Sequence, residues 1–287
     1  MTASRWKNWI GPVRRASDTL SPELARRWLA TFDLPGPMRD TVPQGVHFCL
    51  CTPDTPTAQL GEDGHPQRGG EHGSFLPLIP LPRRMWAGSR VVFDAPLKVG
   101  AHIERTSRIA SITEKAGGTG RLVFVEVLHE TLADGGEPAV RETQTLVYRE
   151  AARPDAPLAP PDRREGKFDP QGWDAHRVLT PDPRLLFRYS ALTFNTHRIH
   201  YDEPYAREVE RYRGLVVHGP LTASLLLQLA AARYGDNALA EFGFRGLGPA
   251  IAGETLHLVL REEGEGVTLA AFADDGRQVT QASARLA

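Results

Sequence analysis

The chain has 287 residues, 41% hydrophobic and 24% charged, enough for one large domain or two ordinary ones around a real core. With 34 basic against 35 acidic residues the net charge is -1, which argues against nucleic acid or an anionic membrane surface as partner. Two cysteines, Cys49 and Cys51, exclude a disulfide framework; no run approaches the ~18 apolar residues of a membrane span and the N-terminus lacks a signal-peptide core, so the expected location is the cytoplasm.

In chain order, "SPELARRWLATFD" predicts an amphipathic helix capped by Ser21, with Pro22 in its first turn and Leu24, Trp28, Leu29 and Phe32 as its apolar stripe. Residues 34–87 are rich in Gly and Pro and promise no long helix; a loop-rich region of that length is often functional. Three long strands follow, beginning at "SRVVFDAPLKVGAHIERTSRIASITEK", "GRLVFVEVLHETLADGG" and "EPAVRETQTLVYRE". The proline-rich, charged stretch 151–170 reads as an exposed, extended linker between residues 1–150 and 171–287. Beyond it, "LLFRYSALTF" reads as a strand. "GPLTASLLLQLAAARYG" reads as a helix started by Gly219-Pro220 and stopped by Gly235, apolar almost all round and therefore buried. Strands starting near residues 253, 266 and 277 close the chain, the last two joined by an Asp275-Gly276 hairpin turn.

The halves echo each other. "APLKVGAHIERTSRI" and "GPAIAGETLHLVL" share Pro, an apolar pair, Gly and an alternating strand, and both halves end on a strand, a turn and a strand. This predicts a degenerate internal duplication in which the first half lacks the long helix and the vacated space holds a ligand.

The blocks "LGEDGHP", "LPLIPLPRRMWAG", "ETQTLVYR", "LFRYSALTFNTHRIHYDEPYA" and "GLVVHGPLTASLLL" resemble the MaoC-like, type-2 enoyl-CoA hydratase superfamily, and within it the hydroxyacyl-thioester dehydratases and the mesaconyl-C4-CoA or itaconyl-CoA hydratases. The resemblance implies an α+β double hotdog: two antiparallel sheets, one long buried helix in the C-terminal half, and a degenerate N-terminal half. It implies a hydro-lyase acting on an acyl-CoA, without cofactor or metal, working as a homodimer. The favoured substrate is mesaconyl-C4-CoA or itaconyl-CoA; a 3-hydroxyacyl-CoA or acyl-carrier-protein dehydratase, a thioesterase and a non-catalytic acyl-CoA-binding protein are the rival readings.

The superfamily motif places its catalytic histidine on His200 and its catalytic aspartate on Asn195, which cannot act as a base. Hydrating an enoyl thioester needs a group that moves a water proton and donors aimed at the enolate oxygen. His200 suits the first task and Asn195 can hold the water. Gly219, at the mouth of the buried helix, can offer its N–H to the oxyanion, since Pro220 has none. His197 and His218 are expected in the substrate pocket, with Trp86 as its wall. Arg83 or Arg84 is the expected partner of a substrate carboxylate or CoA phosphate, with Arg188 and Arg198 as rivals. His197 and His200 as a metal pair lack a third ligand at a recognisable spacing. Asp202 reads as an N-cap, and Gly64-His65-Pro66 as a loop of the same region.

Overall fold

The structure, a computed structural model, describes residues 5–34, 36, 40–67, 74–117, 120–161, 167–264 and 266–287. Its first half holds β1 (Val13–Thr19), α1 (Pro22–Thr31), β2 (Arg83–Phe93), β3 (His102–Gly117), β4 (Gly120–Ala133) and β5 (Pro138–Arg149). Its second holds β6 (Ala175–Leu179), α2 (Pro183–Thr193), α3 (Glu203–Glu208), α4 (Gly219–Tyr234), β7 (Leu239–Gly246), β8 (Leu256–Glu263), β9 (Gly266–Ala273) and β10 (Gln278–Leu286).

The ten strands form one sheet in the order β1-β3-β4-β5-β2-β7-β10-β9-β8-β6, every neighbouring pair antiparallel. Taking β6–β10 as the repeat of β1–β5, each half has the same strand order, and the halves meet at β2 and β7. The duplication read from the sequence is therefore structural. The expectation of two separate sheets is corrected: Gly88↔Arg245 through Val92↔Glu241 join them into one. Gly88 makes the junction possible, because a Cβ there would overlap the carbonyl of Phe244.

The repeat also shows what the first half lacks. An isolated bridge Val216↔Ile251, followed by Val217 N–H on the Ala250 carbonyl at 2.9 Å, leads into α4. Its counterpart Thr41↔Lys98, followed by Val42 N–H on the Leu97 carbonyl at 3.1 Å, leads only to a 3-10 turn, Val46–Cys49. Among the described residues between α1 and β2 there is no α-helix. In the second half α4 lies inside the core, its Leu221, Leu225 and Leu226 buried among Phe242, Leu258 and Leu269. Its polar Ser224 is satisfied within the helix, Oγ donating to the Pro220 carbonyl at 2.8 Å.

Two readings are corrected. "LLFRYSALTF" is helical, as α2. Asp182 caps it, accepting the Leu185 N–H at 2.9 Å, Pro183 occupies the first turn, and Leu186, Tyr189 and Leu192 recur every three residues on the buried face. The linker is not simply exposed. Ala159 pairs with Tyr212, taking the Arg213 N–H at 3.0 Å and giving its own to the Arg211 carbonyl at 2.7 Å, while Arg211 Nε donates to the Ala156 carbonyl at 2.9 Å. Residues 162–166 of that stretch lie outside the described residues.

Candidate active site

A cleft of about 2720 Å³ runs over the inner face of the first half's sheet, where α4 has no counterpart. Arg83, Arg84, Trp86, Asn195, His197, His200, His218 and Gly219 line it, whereas the rival arginines Arg188 and Arg198 are not among its lining residues.

The segment between α2 and α3 carries the motif. Phe194 ends α2 in the left-handed conformation, φ 48°, which turns the chain back over the cleft. The Asn195 side-chain oxygen then accepts the His197 N–H at 2.9 Å. Its Nδ2 has no partner among the described residues. A 3-10 turn, Arg198–His200, delivers His200, and Asp202 caps α3 through the Tyr205 N–H at 3.1 Å, as expected.

His200 is buried, with Nδ1 2.7 Å from the Val216 carbonyl. A carbonyl only accepts, so Nδ1 carries the hydrogen and Nε2 keeps its lone pair. Burial lowers its pKa to about 4, with the Val216 bond opposing and His65 assisting. At neutral pH this is a neutral imidazole fixed in the base tautomer. His218 stacks on it with ring centroids 3.5 Å apart and is held by Ser190 Oγ at 2.9 Å. Burial and then the neighbouring His200 push His218 well below the ordinary range.

Gly219 opens α4 beside the Trp86 backbone, and no backbone carbonyl takes its N–H among the described residues. It is a donor at a helix N-terminus facing the cleft, suited to an oxyanion.

The loop 60–67 reaches in from the first half and grips the motif. Thr196 Oγ1 donates to the Gly64 carbonyl at 2.6 Å, Arg198 N–H to the Asp63 carbonyl at 2.9 Å and Arg198 Nη1 to the Glu62 carbonyl at 3.1 Å. Gly64 adopts φ +85° there, and a Cβ would overlap the Thr196 carbonyl. The loop sets His65 against His197, ring centroids 4.1 Å apart, with Asp63 on His65 Nδ1 at 3.0 Å. Asp63 was missed in the sequence because nothing local links it to a motif more than 130 residues away. Asp63, His65 and His197 each place one ligand-type atom within 4.8 Å of the others. The two rings are tilted by 35° to each other, and Asp63 is bonded to His65. His197 and His200 stand with their rings at 88° to each other and centroids 5.4 Å apart.

The arginines divide. Arg83 is buried, its Nε paired with the Glu210 carboxylate and its Nη2 donating to the Glu210 carbonyl at 3.1 Å, over the Tyr212 ring. Its charge is matched within the protein, which corrects its place as a free partner for substrate. Arg84 lines the cleft beside the motif and adds to the forces holding His197 neutral, after burial and the neighbouring His65 and His200. Arg188 is exposed and binds the Ala30 carbonyl at 3.3 Å. Arg198 forks onto Asp202 at 2.9 and 2.7 Å, so it serves the motif's own geometry.

Comparison with known proteins identifies the family of the chain. A model of the hydroxyacyl-thioester dehydratase type 2 family matches residues 45–252. The chain is 40% identical over 294 residues to the mesaconyl-C(4)-CoA hydratase of Chloroflexus aurantiacus, covering 100% of this chain and 99% of that one. It is 36% identical over 247 residues to the mitochondrial hydroxyacyl-thioester dehydratase type 2 of Schizosaccharomyces pombe, covering 77% and 78%. Among solved structures, a MaoC-like dehydratase superposes with TM-score 0.71 at 16% identity over 99% and 98% of the two chains. A Mycobacterium tuberculosis protein described as a double hotdog superposes with TM-score 0.57 at 15% identity over 96% of each. The chain belongs to the hydroxyacyl-thioester dehydratase type 2 family of MaoC-like hotdog proteins, and is a hydro-lyase of the enoyl-thioester hydratase and dehydratase type.

Proposed function

We propose that the protein reversibly hydrates a short, carboxylated enoyl-CoA, mesaconyl-C4-CoA or itaconyl-CoA, to citramalyl-CoA. The observation that carries this reading is the 40% identity, end to end, with a mesaconyl-C(4)-CoA hydratase. Two arginines that line the cleft, Arg84 and Arg105, are cations that a carboxylated acyl group could meet.

In the hydration direction, His200 Nε2 takes a proton from a water held by the Asn195 Nδ2. The hydroxide adds to Cβ, and the electron pair moves through the double bond onto the thioester oxygen. The Gly219 N–H meets that oxygen. Protonated His200 returns its proton to Cα, and the enolate collapses to the saturated thioester. A depressed pKa suits His200 to this return, because its conjugate acid is strong. His218, itself held by Ser190, stacks on the His200 imidazole, and the Val216 carbonyl holds its Nδ1.

A second reading, dehydration of a plain 3-hydroxyacyl thioester on CoA or acyl carrier protein, draws on the 36% identity to the yeast dehydratase. Absorbance assays across carboxylated and plain enoyl-CoA thioesters, with products weighed by mass spectrometry, separate the two. Turnover of mesaconyl-C4-CoA well above crotonyl-CoA supports the first, and the reverse supports the second.

A further inference from the structure

The cleft's inner wall is polar where a hydrocarbon acyl chain would want it apolar. Inner-face positions of three adjacent strands carry Arg105 and Ser107 on β3, His129 on β4, and Glu142 and Gln144 on β5, and all five line the cleft. Ser107, His129 and Glu142 stand in one row across the sheet, Ser107 facing His129 and His129 facing Glu142. The row is wired to the catalytic end. Trp86, whose backbone abuts Gly219, donates from Nε1 to Ser89 Oγ at 2.9 Å, and Ser89 Oγ donates to Glu142 at 2.5 Å.

Within this pocket Arg105 is a fixed charge held by neutral groups. Arg105 donates Nε to Thr131 Oγ1 at 3.1 Å, Nη1 to the Leu50 carbonyl at 2.9 Å and Nη2 to the His47 carbonyl at 2.7 Å. All three partners are neutral, and Arg105 makes no ion pair with a carboxylate among the described residues. Three donors are used out of the five a guanidinium offers. Its titratable neighbours are His47 and His129, Cys49 and Cys51, and Glu142, with Asp18 beside Cys51 at the β1 edge. Burial, and after it the Arg105 charge, lowers both His47 and His129 to about 3, so neither is cationic. Burial raises Glu142, against the pull of Ser89 and Arg105, and Asp18 already accepts the Cys51 N–H at 2.8 Å. Half-buried cations without a counter-ion are costly unless a ligand supplies the anion.

We propose that Arg105, with His129 and Gln144 beside it, is the specificity-determining site for the free carboxylate of the substrate's acyl group. This deepens the reading given above and rests on it. It assigns the carboxylate to the sheet floor of the degenerate half and leaves Arg84, beside the motif, for the anionic groups of the carrier. A guanidinium held by two backbone carbonyls is fixed in direction, as recognition of a planar carboxylate requires.

The test is kcat/KM for mesaconyl-C4-CoA and for crotonyl-CoA, which lacks the carboxylate, in the unmodified protein and in R105Q and R84Q. The expected result is a 10- to 100-fold fall in the mesaconyl-to-crotonyl ratio in R105Q. R84Q is expected to lower both substrates together and keep the ratio. Because Arg105 also pins residues 47–50, S107D provides a variant that keeps every Arg105 contact and offers it an internal carboxylate from the same strand face; it should lower the ratio in the same way. If the unmodified protein prefers mesaconyl-C4-CoA but R105Q or folded S107D keeps that preference, or R84Q abolishes it, the assignment of Arg105 is overturned while the substrate reading stands. A preference for crotonyl-CoA in the unmodified protein overturns the substrate reading itself.

Discussion

In the proposed mechanism Asn195 and His200 carry the chemistry at the scale of single side chains. Both were picked out in the sequence through the resemblance to the superfamily motif. The tautomer of His200 was not, because its acceptor, the Val216 carbonyl, lies 16 residues away. Replacing His200 with Ala should reduce kcat by at least ~100-fold with the fold retained, as checked by circular dichroism; near-native turnover would remove it from the mechanism. With a pKa of about 4, His200 is unprotonated throughout the ordinary range. The acid limb of kcat/KM is therefore expected near pH 4, and a limb near the unperturbed ~6.5 would contradict this environment. At Asn195 the amide oxygen holds the His197 N–H, and the proposed mechanism gives the amide nitrogen the water. Asp preserves the first role and Ala neither, so N195D should retain more activity than N195A; the opposite order in steady-state assays would show that the neutral amide is essential. Arg83 shows where sequence reading runs out. Its partner Glu210 is 127 residues distant, so nothing local marked its charge as spent.

At the scale of elements, the loop 60–67 completes the site by clamping the motif from the other half. G64A tests it. The φ of +85° and the overlap with the Thr196 carbonyl together should cost about 1–3 kcal/mol of local strain. The loop should lift from the motif, lowering kcat more than it lowers Tm; a G64A protein with native kinetics would show that the clamp is dispensable. The buried helix α4 was legible because it is apolar all round and bounded by Gly-Pro and Gly. Its neighbour α2 was not, because aromatic and β-branched residues in "FRYSALTF" favour a strand, whereas the Asp182 cap and the buried three-residue spacing prevail in the fold. The edge strand β1 escaped notice for a different reason: it is mostly exposed and charged, with no alternation to reveal it.

The whole molecule is two copies of one strand order sharing a single sheet. The duplication was legible from the β3 and β8 segments. The fusion of the halves was not, because the alternation of Phe242 and Phe244 in β7 marks a strand but not its neighbour, and its partner β2 lies about 150 residues earlier. With Gly88 at the seam, G88A should force β2 away from β7 and lower stability by about 1–3 kcal/mol, read as a drop in denaturation midpoint. Stability should also depend on pH. His47 and His129 titrate at about 3 and His200 at about 4 in the folded state, against ~6.5 unfolded. Between these values the unfolded chain binds more protons, so stability is complete above ~6.5 and falls as pH drops, by up to about 1.4 kcal/mol per pH unit for each such histidine. Urea midpoints at pH 7 and pH 5 check the sign: a lower midpoint at pH 5 is expected, and an equal or higher one would contradict the buried neutral histidines.

In the proposed reading the cleft where the first half lacks a long helix takes the acyl group, and the charge lining it should choose which one. The most direct measurement is kcat/KM of the unmodified protein for mesaconyl-C4-CoA against crotonyl-CoA, with each product identified by mass. A clear preference for mesaconyl-C4-CoA, with a product heavier by one water, is the predicted result. Equal or better hydration of crotonyl-CoA, or no water added to either, would contradict it.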